Sequence, residues 1–232
     1  MKTKILVSIM FAYLPIISPA TDGVWLTDSE GTYFYSDTEN WENGIVAEGA
    51  GATAEFKGPK NAQVTTIIDR DVTLGRLLFP NAAGGTNILS GDYAFIFNNG
   101  SEKSEITSVG NRVKPHFNVP IVLDNTTLRF SRTADGRACT PVHIDAVTGT
   151  GNLEIYVRMN YNKRTDLFTH LKFHNINISG YVSIEGSAVK EDCKEKVFFE
   201  TPNTYTGGTF VYSNRLVVAA SCGIGSLPCV AG

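Results

Sequence analysis

The chain has 232 residues, 20 Lys and Arg against 23 Asp and Glu, a net charge of −3 and only 19% charged residues. That mildly acidic balance excludes nucleic acid and an anionic bilayer as electrostatic partners. The length suits one large or two small domains.

Taken from the N-terminus, Lys2 and Lys4 precede an apolar stretch over residues 5–17, which Ser18-Pro19-Ala20 closes. This charged, apolar, small-residue order is that of a secretory signal peptide over residues 1–20, with cleavage expected after Ala20. The stretch is shorter than the ~20 apolar residues a spanning helix needs. Losing Lys2 and Lys4 with the leader takes the net charge from −3 to −5.

Residues 21–60 hold both tryptophans, Trp25 and Trp41, with Tyr33, Phe34 and Tyr35 between them. The two indoles suit either a core or cap anchor, which is the expected role, or a platform on which a pyranose ring stacks. From there on, apolar residues come in runs of three to six: Thr65-Thr66-Ile67-Ile68, Leu77-Leu78-Phe79, Tyr93-Ala94-Phe95-Ile96-Phe97, Ile121-Val122-Leu123, Leu153-Glu154-Ile155-Tyr156-Val157, Val197-Phe198-Phe199 and Leu216-Val217-Val218. Runs this short, rich in β-branched and aromatic residues, predict an all-β chain without an amphipathic helix. Asn43-Gly44, Asn99-Gly100 and Asp135-Gly136 would serve the tight hairpins of a β-sandwich. The long gaps between runs favour a parallel solenoid instead, with similar strands returning every ~20 to 25 residues.

Three features invite an enzymatic reading and each has a plainer one. Gly49-Ala50-Gly51-Ala52-Thr53-Ala54 matches a loose dinucleotide fingerprint, but Gly58-Pro59 would end the helix such a site requires, so a Gly-Ala turn is expected. Asp69-Arg70-Asp71 would put two carboxylates on one face of a strand, the pairing a glycosidase or lyase uses; solvated charges at a strand end are the simpler expectation. His170 and His174 have the spacing of a zinc pair, yet Leu171 replaces the glutamate of a zincin, and the alternation of Leu171 and Phe173 puts both histidines on the outer face of a strand. His116 and His143 have no Ser or Cys in a nucleophile motif nearby. No catalytic residue, metal ligand or cofactor is assigned, and the ligand-binding residues are not legible.

Four cysteines, Cys139, Cys193, Cys222 and Cys229, stand in a chain expected to be exported, where disulfides form. The short loop between Cys222 and Cys229 favours that pair, leaving Cys139 with Cys193; four cysteines allow three connectivities, and free thiols are the alternative.

Near the C-terminus the run Asn203-Thr204-Tyr205-Thr206-Gly207-Gly208-Thr209-Phe210-Val211 is followed by Leu216-Val217-Val218 and Gly223-Ile224-Gly225-Ser226-Leu227-Pro228, two short strands and a Gly-Gly corner within one solenoid coil. This stretch resembles the autotransporter-associated β-strand repeat. The resemblance continues upstream in Gly23-Val24-Trp25, Glu39-Asn40-Trp41-Glu42-Asn43-Gly44, residues 49–56, Val72-Thr73-Leu74-Gly75-Arg76-Leu77-Leu78-Phe79, residues 119–128 and Thr148-Gly149-Thr150-Gly151-Asn152-Leu153. Residues 156–200 depart from it in their higher charge.

The resemblance implies a right-handed parallel β-helix over residues 61–232, an N-terminal cap over residues 21–60, and a secreted or cell-surface bacterial protein. It further implies a non-catalytic, structural or adhesive passenger-like role, with glycans or cell-surface components as partners. Family members often end in an outer-membrane barrel, and the chain stops at Gly232 without the eight strands a minimal barrel needs, so truncation is expected and any membrane attachment would come through that missing part. The alternatives are a carbohydrate-active β-helix and a β-sandwich glycan-binding module.

Overall fold

The computed structural model describes residues 19–57, 62–80, 85–109, 114–134, 142–159, 170–188, 195–201, 203–212 and 216–220. Within the short runs, inward and outward side chains alternate strictly. Thr53–Phe56, Gln63–Ile67, Arg76–Phe79 and Ser104–Val109 each bury every second residue. A strand with one apolar edge must cover it, and here the cover comes from further strands of the same kind stacked in parallel.

All the named strands pair in parallel, which makes the chain a β-solenoid. Its sides are three faces. The first stacks Gly31–Phe34, Gln63–Ile67, Thr86–Ser90, the starts of Lys114–Ala134 and Val142–Met159, then His170–Ile178, Glu195–Phe199 and Leu216–Ala220. The second stacks Val72–Leu74 and Phe95–Phe97 on the middle of the two long strands, ending on residues 176–178. The third runs Gly23–Trp25, Thr53–Phe56, Arg76–Phe79, Ser104–Val109, the ends of the long strands, Val182–Ala188 and Thr209–Val211.

The hairpins that the alternative sandwich would use are not seen among the described strands, all of which pair in parallel. Asn43 and Gly44, with φ of 57° and 70°, lie at the short 3-10 turn Glu42–Gly44. Antiparallel contact among the described residues is confined to the isolated bridges Thr21 to Glu48 and Trp25 to Trp41. Asp135-Gly136 lies outside the described residues.

Two observations differ from the sequence expectation. Register partners on the first face stand between 21 residues apart (Lys196 and Val217) and 33 apart (Gly31 and Val64), a wider range than a uniform coil gives. The longest step holds two 3-10 turns, Thr38–Asn40 and Glu42–Gly44, between which Trp41 bridges back to Trp25. Lys114–Ala134 and Val142–Met159 also run through two corners as unbroken strands of 21 and 18 residues. They bend at shifts in register after Phe117 and after Asp124 rather than at full turns.

The interior is an aromatic spine. Trp25, Phe56, Phe79, Phe117, Phe130, Phe173 and Phe199 run in chain order through the interior, passing between the third and first faces, with successive ring centroids 5.2 to 6.2 Å apart. Each such pair adds about 0.5–1.5 kcal/mol beyond the apolar area it buries. The spine begins in a knot of four rings, where Trp41 meets Trp25 edge-on at 5.2 Å and Tyr35 at 4.9 Å. Two of its polar atoms are tied to backbone: Trp41 Nε1 donates to the Tyr35 carbonyl at 2.7 Å, and the Tyr35 hydroxyl donates to the Ala47 carbonyl at 2.8 Å, whereas the buried Trp25 Nε1 has no partner among the described residues. Burial pushes the Tyr35 phenol well above its ordinary pKa, with the charge of Glu48 acting in the same direction and Arg70 against it.

Candidate functional site

The Asn-Thr-Tyr-Thr-Gly-Gly-Thr run forms a corner that copies the rung beneath it. Asn203 is buried, and its Oδ1 accepts from the Ile176 amide at 2.7 Å while the Thr204 amide donates to the Ile176 carbonyl at 2.9 Å. An asparagine side chain thus continues the strand ladder where the backbone turns away. Tyr205 closes the core, Thr206 Oγ1 donates to the Ser179 carbonyl at 2.6 Å, and the Gly207 amide donates to the Gly180 carbonyl at 2.9 Å. A Cβ on Gly207 would sit 2.6 Å from the Tyr181 nitrogen, so this close passage of two backbones requires glycine.

Asp69 and Asp71 lie at a corner between strands and do not share a strand face. Asp69 accepts from the amide (3.2 Å) and hydroxyl of Ser36 in the rung below, and Asp71 accepts from the Ala94 amide at 3.0 Å in the rung above. Arg70 between them pairs with Glu48 at 2.6 Å. The two carboxylates therefore face opposite ways along the stack, each engaged with backbone. The glycine-alanine segment 49–54 is a turn leading into the strand Thr53–Phe56, and the tryptophans, 1% and 2% exposed, are interior side chains that cannot receive a sugar ring.

The histidines lie on the first face. His116 and His143 are register partners with their rings 4.9 Å apart. Burial lowers the pKa of His143, the nearby Lys172 adds to that effect, and Glu200 and Asp145 oppose it. His174 is exposed with Nδ1 3.8 Å from Glu200; the side chain of His170 lies outside the described residues. Among the described residues no group of three or more His, Cys, Asp or Glu converges in a way that would hold a metal ion. Residues 1–18, most of the expected signal peptide, and all four cysteines, Cys139, Cys193, Cys222 and Cys229, lie outside the described residues.

The outer surface of the described residues carries depressions, two of which stand out. One, of about 680 Å³, lies where the second face turns toward the third, with a polar wall from Thr148, Thr150, Asn177, Thr204 and Thr206. The other, of about 520 Å³, opens on the third face and is aromatic and charged. Two outward columns build it. Arg129, Glu154, Ser183 and Phe210 are register partners in one, and Ser131, Tyr156 and Glu185 in the other. Tyr212, whose amide donates to the Ile184 carbonyl at 2.9 Å, carries the chain on beyond the Ile184–Val211 pair.

The groove's polar groups hold one another in place. Lys103 Nζ donates to both oxygens of Glu154, at 2.7 and 2.9 Å, and the Tyr181 hydroxyl donates to Glu154 Oε1 at 3.3 Å. Burial and the Glu154 charge raise the Tyr181 pKa, so the phenol stays a donor. The Arg129 guanidinium lies 5.0 Å from the centre of the Tyr156 ring. At the far end Phe210 and Tyr212 are within 13° of parallel at 6.5 Å, and the Tyr181 edge meets Phe210 at 5.8 Å.

Sequence reasoning did not single out this groove, whose members from Lys103 to Tyr212 come from successive coils. The available signal was the two-residue alternation, which sets Glu154 and Tyr156 opposite Leu153, Ile155 and Val157.

Comparison with protein-family models, with curated proteins and with solved structures finds no match to this chain. The likeness of residues 203–211 to the autotransporter-associated repeat rests on those residues and on the solenoid they help to build.

Proposed function

We propose that this chain is an exported, non-catalytic β-solenoid that acts as a structural and adhesive scaffold at a bacterial cell surface. The observation that carries the reading is the fate of Asp69 and Asp71. The two carboxylates best placed in sequence for acid–base chemistry are spent on amides of neighbouring rungs, whereas lyase or glycosidase work needs them facing one substrate. A stacked solenoid in turn offers rows of like-placed side chains, along which weak contacts sum by multivalency. The charged, apolar, small-residue leader supports export.

Expression of the full chain in a bacterial host, followed by fractionation and protease treatment of intact cells, tests the address. Incubation of the purified chain with neutral and acidic polysaccharides, with and without Ca²⁺, tests the chemistry. Protease-accessible protein and no release of reducing ends are expected. Retention in the cytoplasm, or release of reducing ends that disappears in Asp69→Asn/Asp71→Asn, would overturn the reading.

A further inference from the structure

The groove on the third face combines features that a scaffold does not need. Phe34 and Tyr93 are also exposed, but Phe210 and Tyr212, 45% and 69% exposed, stand side by side and nearly parallel at one end of the groove. Desolvating two such rings is favourable for an occupant with a flat apolar face. Between them and Lys103 lie the ordered Lys103–Glu154 pair and the exposed carboxylate of Glu185. The formal charges of Lys103, Arg129, Glu154 and Glu185 cancel, and the whole chain is net negative at −3.

Those properties narrow the occupant. A nucleic acid or a uronate polymer needs a positive groove, and this one is balanced. An apolar protein segment would cover Glu154, Lys103 and Glu185 without replacing their water, which costs several kcal/mol for ionised groups. A neutral sugar chain meets both demands: its C–H faces lie on the rings and its hydroxyls donate to the carboxylates and accept from the ammonium. The repeat also fits a polymer, since Arg129, Glu154, Ser183 and Phe210 step along the solenoid axis in register, a reach of roughly 14 Å at ~4.8 Å per strand.

We propose that the groove walled by Tyr156, Tyr181, Phe210 and Tyr212 is a binding site for a neutral polysaccharide, held along the solenoid axis with Lys103 and Glu154 as its polar contacts. The site rests on the scaffold reading only in binding without cleavage. The probes are cellohexaose, maltohexaose and mannohexaose, with hexagalacturonate as the anionic comparison, titrated calorimetrically into the purified full chain. At least one neutral hexasaccharide binds and hexagalacturonate binds more weakly.

Tyr212→Ala and Tyr156→Ala each weaken binding about tenfold, in line with the loss of one stacking contact, and Glu154→Gln weakens it as well. Tyr93→Ala removes an exposed ring outside the groove and leaves affinity unchanged, and Tyr212→Trp retains binding. Tyr212 is exposed, so its replacement leaves the thermal midpoint in place and separates lost binding from lost folding. Failure of all three neutral sugars to bind, tighter binding of hexagalacturonate, or full affinity in Tyr156→Ala/Tyr212→Ala overturns the proposal. None of these results touches the surface-exposure and cleavage assays, which decide the scaffold reading separately.

Discussion

Asn203→Ala tests whether the corner asparagine is a structural part of the ladder. The side chain is 4% exposed, and its Oδ1 is the acceptor for the Ile176 amide at 2.7 Å. Ile176 is itself buried, so water does not take over when the acceptor is removed. A buried donor stripped of its partner costs about 2 kcal/mol. Opening of a solenoid is local, because each rung contacts only its neighbours, so the cost is best read at the amide itself. Hydrogen exchange followed by NMR should show protection of the Ile176 amide falling by roughly 30-fold, the equivalent of that 2 kcal/mol.

Thr206→Ala is the matched control. It also removes a side-chain bond to the rung below, Oγ1 to the Ser179 carbonyl, but at an exposed position where water substitutes; its effect should stay near 0.5 kcal/mol. Unchanged protection at Ile176 in Asn203→Ala, or equal effects of the two variants, would refute the idea that the asparagine extends the backbone ladder.

Gly149→Ala and Gly208→Ala both place a side chain at positive φ, 104° and 82°, at about 1–2 kcal/mol each. Only at Gly149 would the Cβ collide with backbone, 2.3 Å from the Leu123 carbonyl oxygen, so urea melts should show clearly greater destabilisation there than at Gly208, around which nothing lies within 4 Å. Trp41→Ala should cost about 3–5 kcal/mol through the emptied aromatic knot, measured by the same melts. With both indoles buried, tryptophan emission of the native chain should be blue-shifted, resist acrylamide and stay unchanged on saturation with a hexasaccharide; a sugar-dependent shift would return the binding platform to Trp25 and Trp41. His143 has a folded pKa below 6.5, so the unfolded chain takes up a proton that the folded chain refuses as pH falls through the interval below 6.5. Its contribution to stability is full above pH 6.5 and is lost on acidification, and His143→Gln should flatten the dependence of the urea midpoint on pH in that interval.

How much of this was written in the chain can be judged residue by residue. The alternation of Val64 with Thr65 and of Ile106 with Thr107 marks half-buried strands wherever it occurs, because successive side chains of a strand must take opposite faces. The corner chemistry was legible too: Asn203, Gly207 and Gly208 are residue types that few other local conformations require together. Asp69 and Asp71 show the limit of local reading. Their spacing suggests a pair on one face, yet a corner turns one toward Ser36 and the other toward Ala94, 33 and 23 residues away.

Short, one-sidedly apolar strands with polar corners could be read from the residues alone, since periodicity and turn chemistry are properties of neighbouring residues. Which outward side chains meet depends on how the rungs are stacked. Coils of 21 to 33 residues shift the phase from rung to rung, so no fixed spacing predicts that Tyr156, Tyr181 and Tyr212 gather on one face. The same applies to Arg132, whose guanidinium the register carries into the interior against the Ser108 hydroxyl. Pairing register is set by the fit of whole rungs against one another, a condition that no single segment carries.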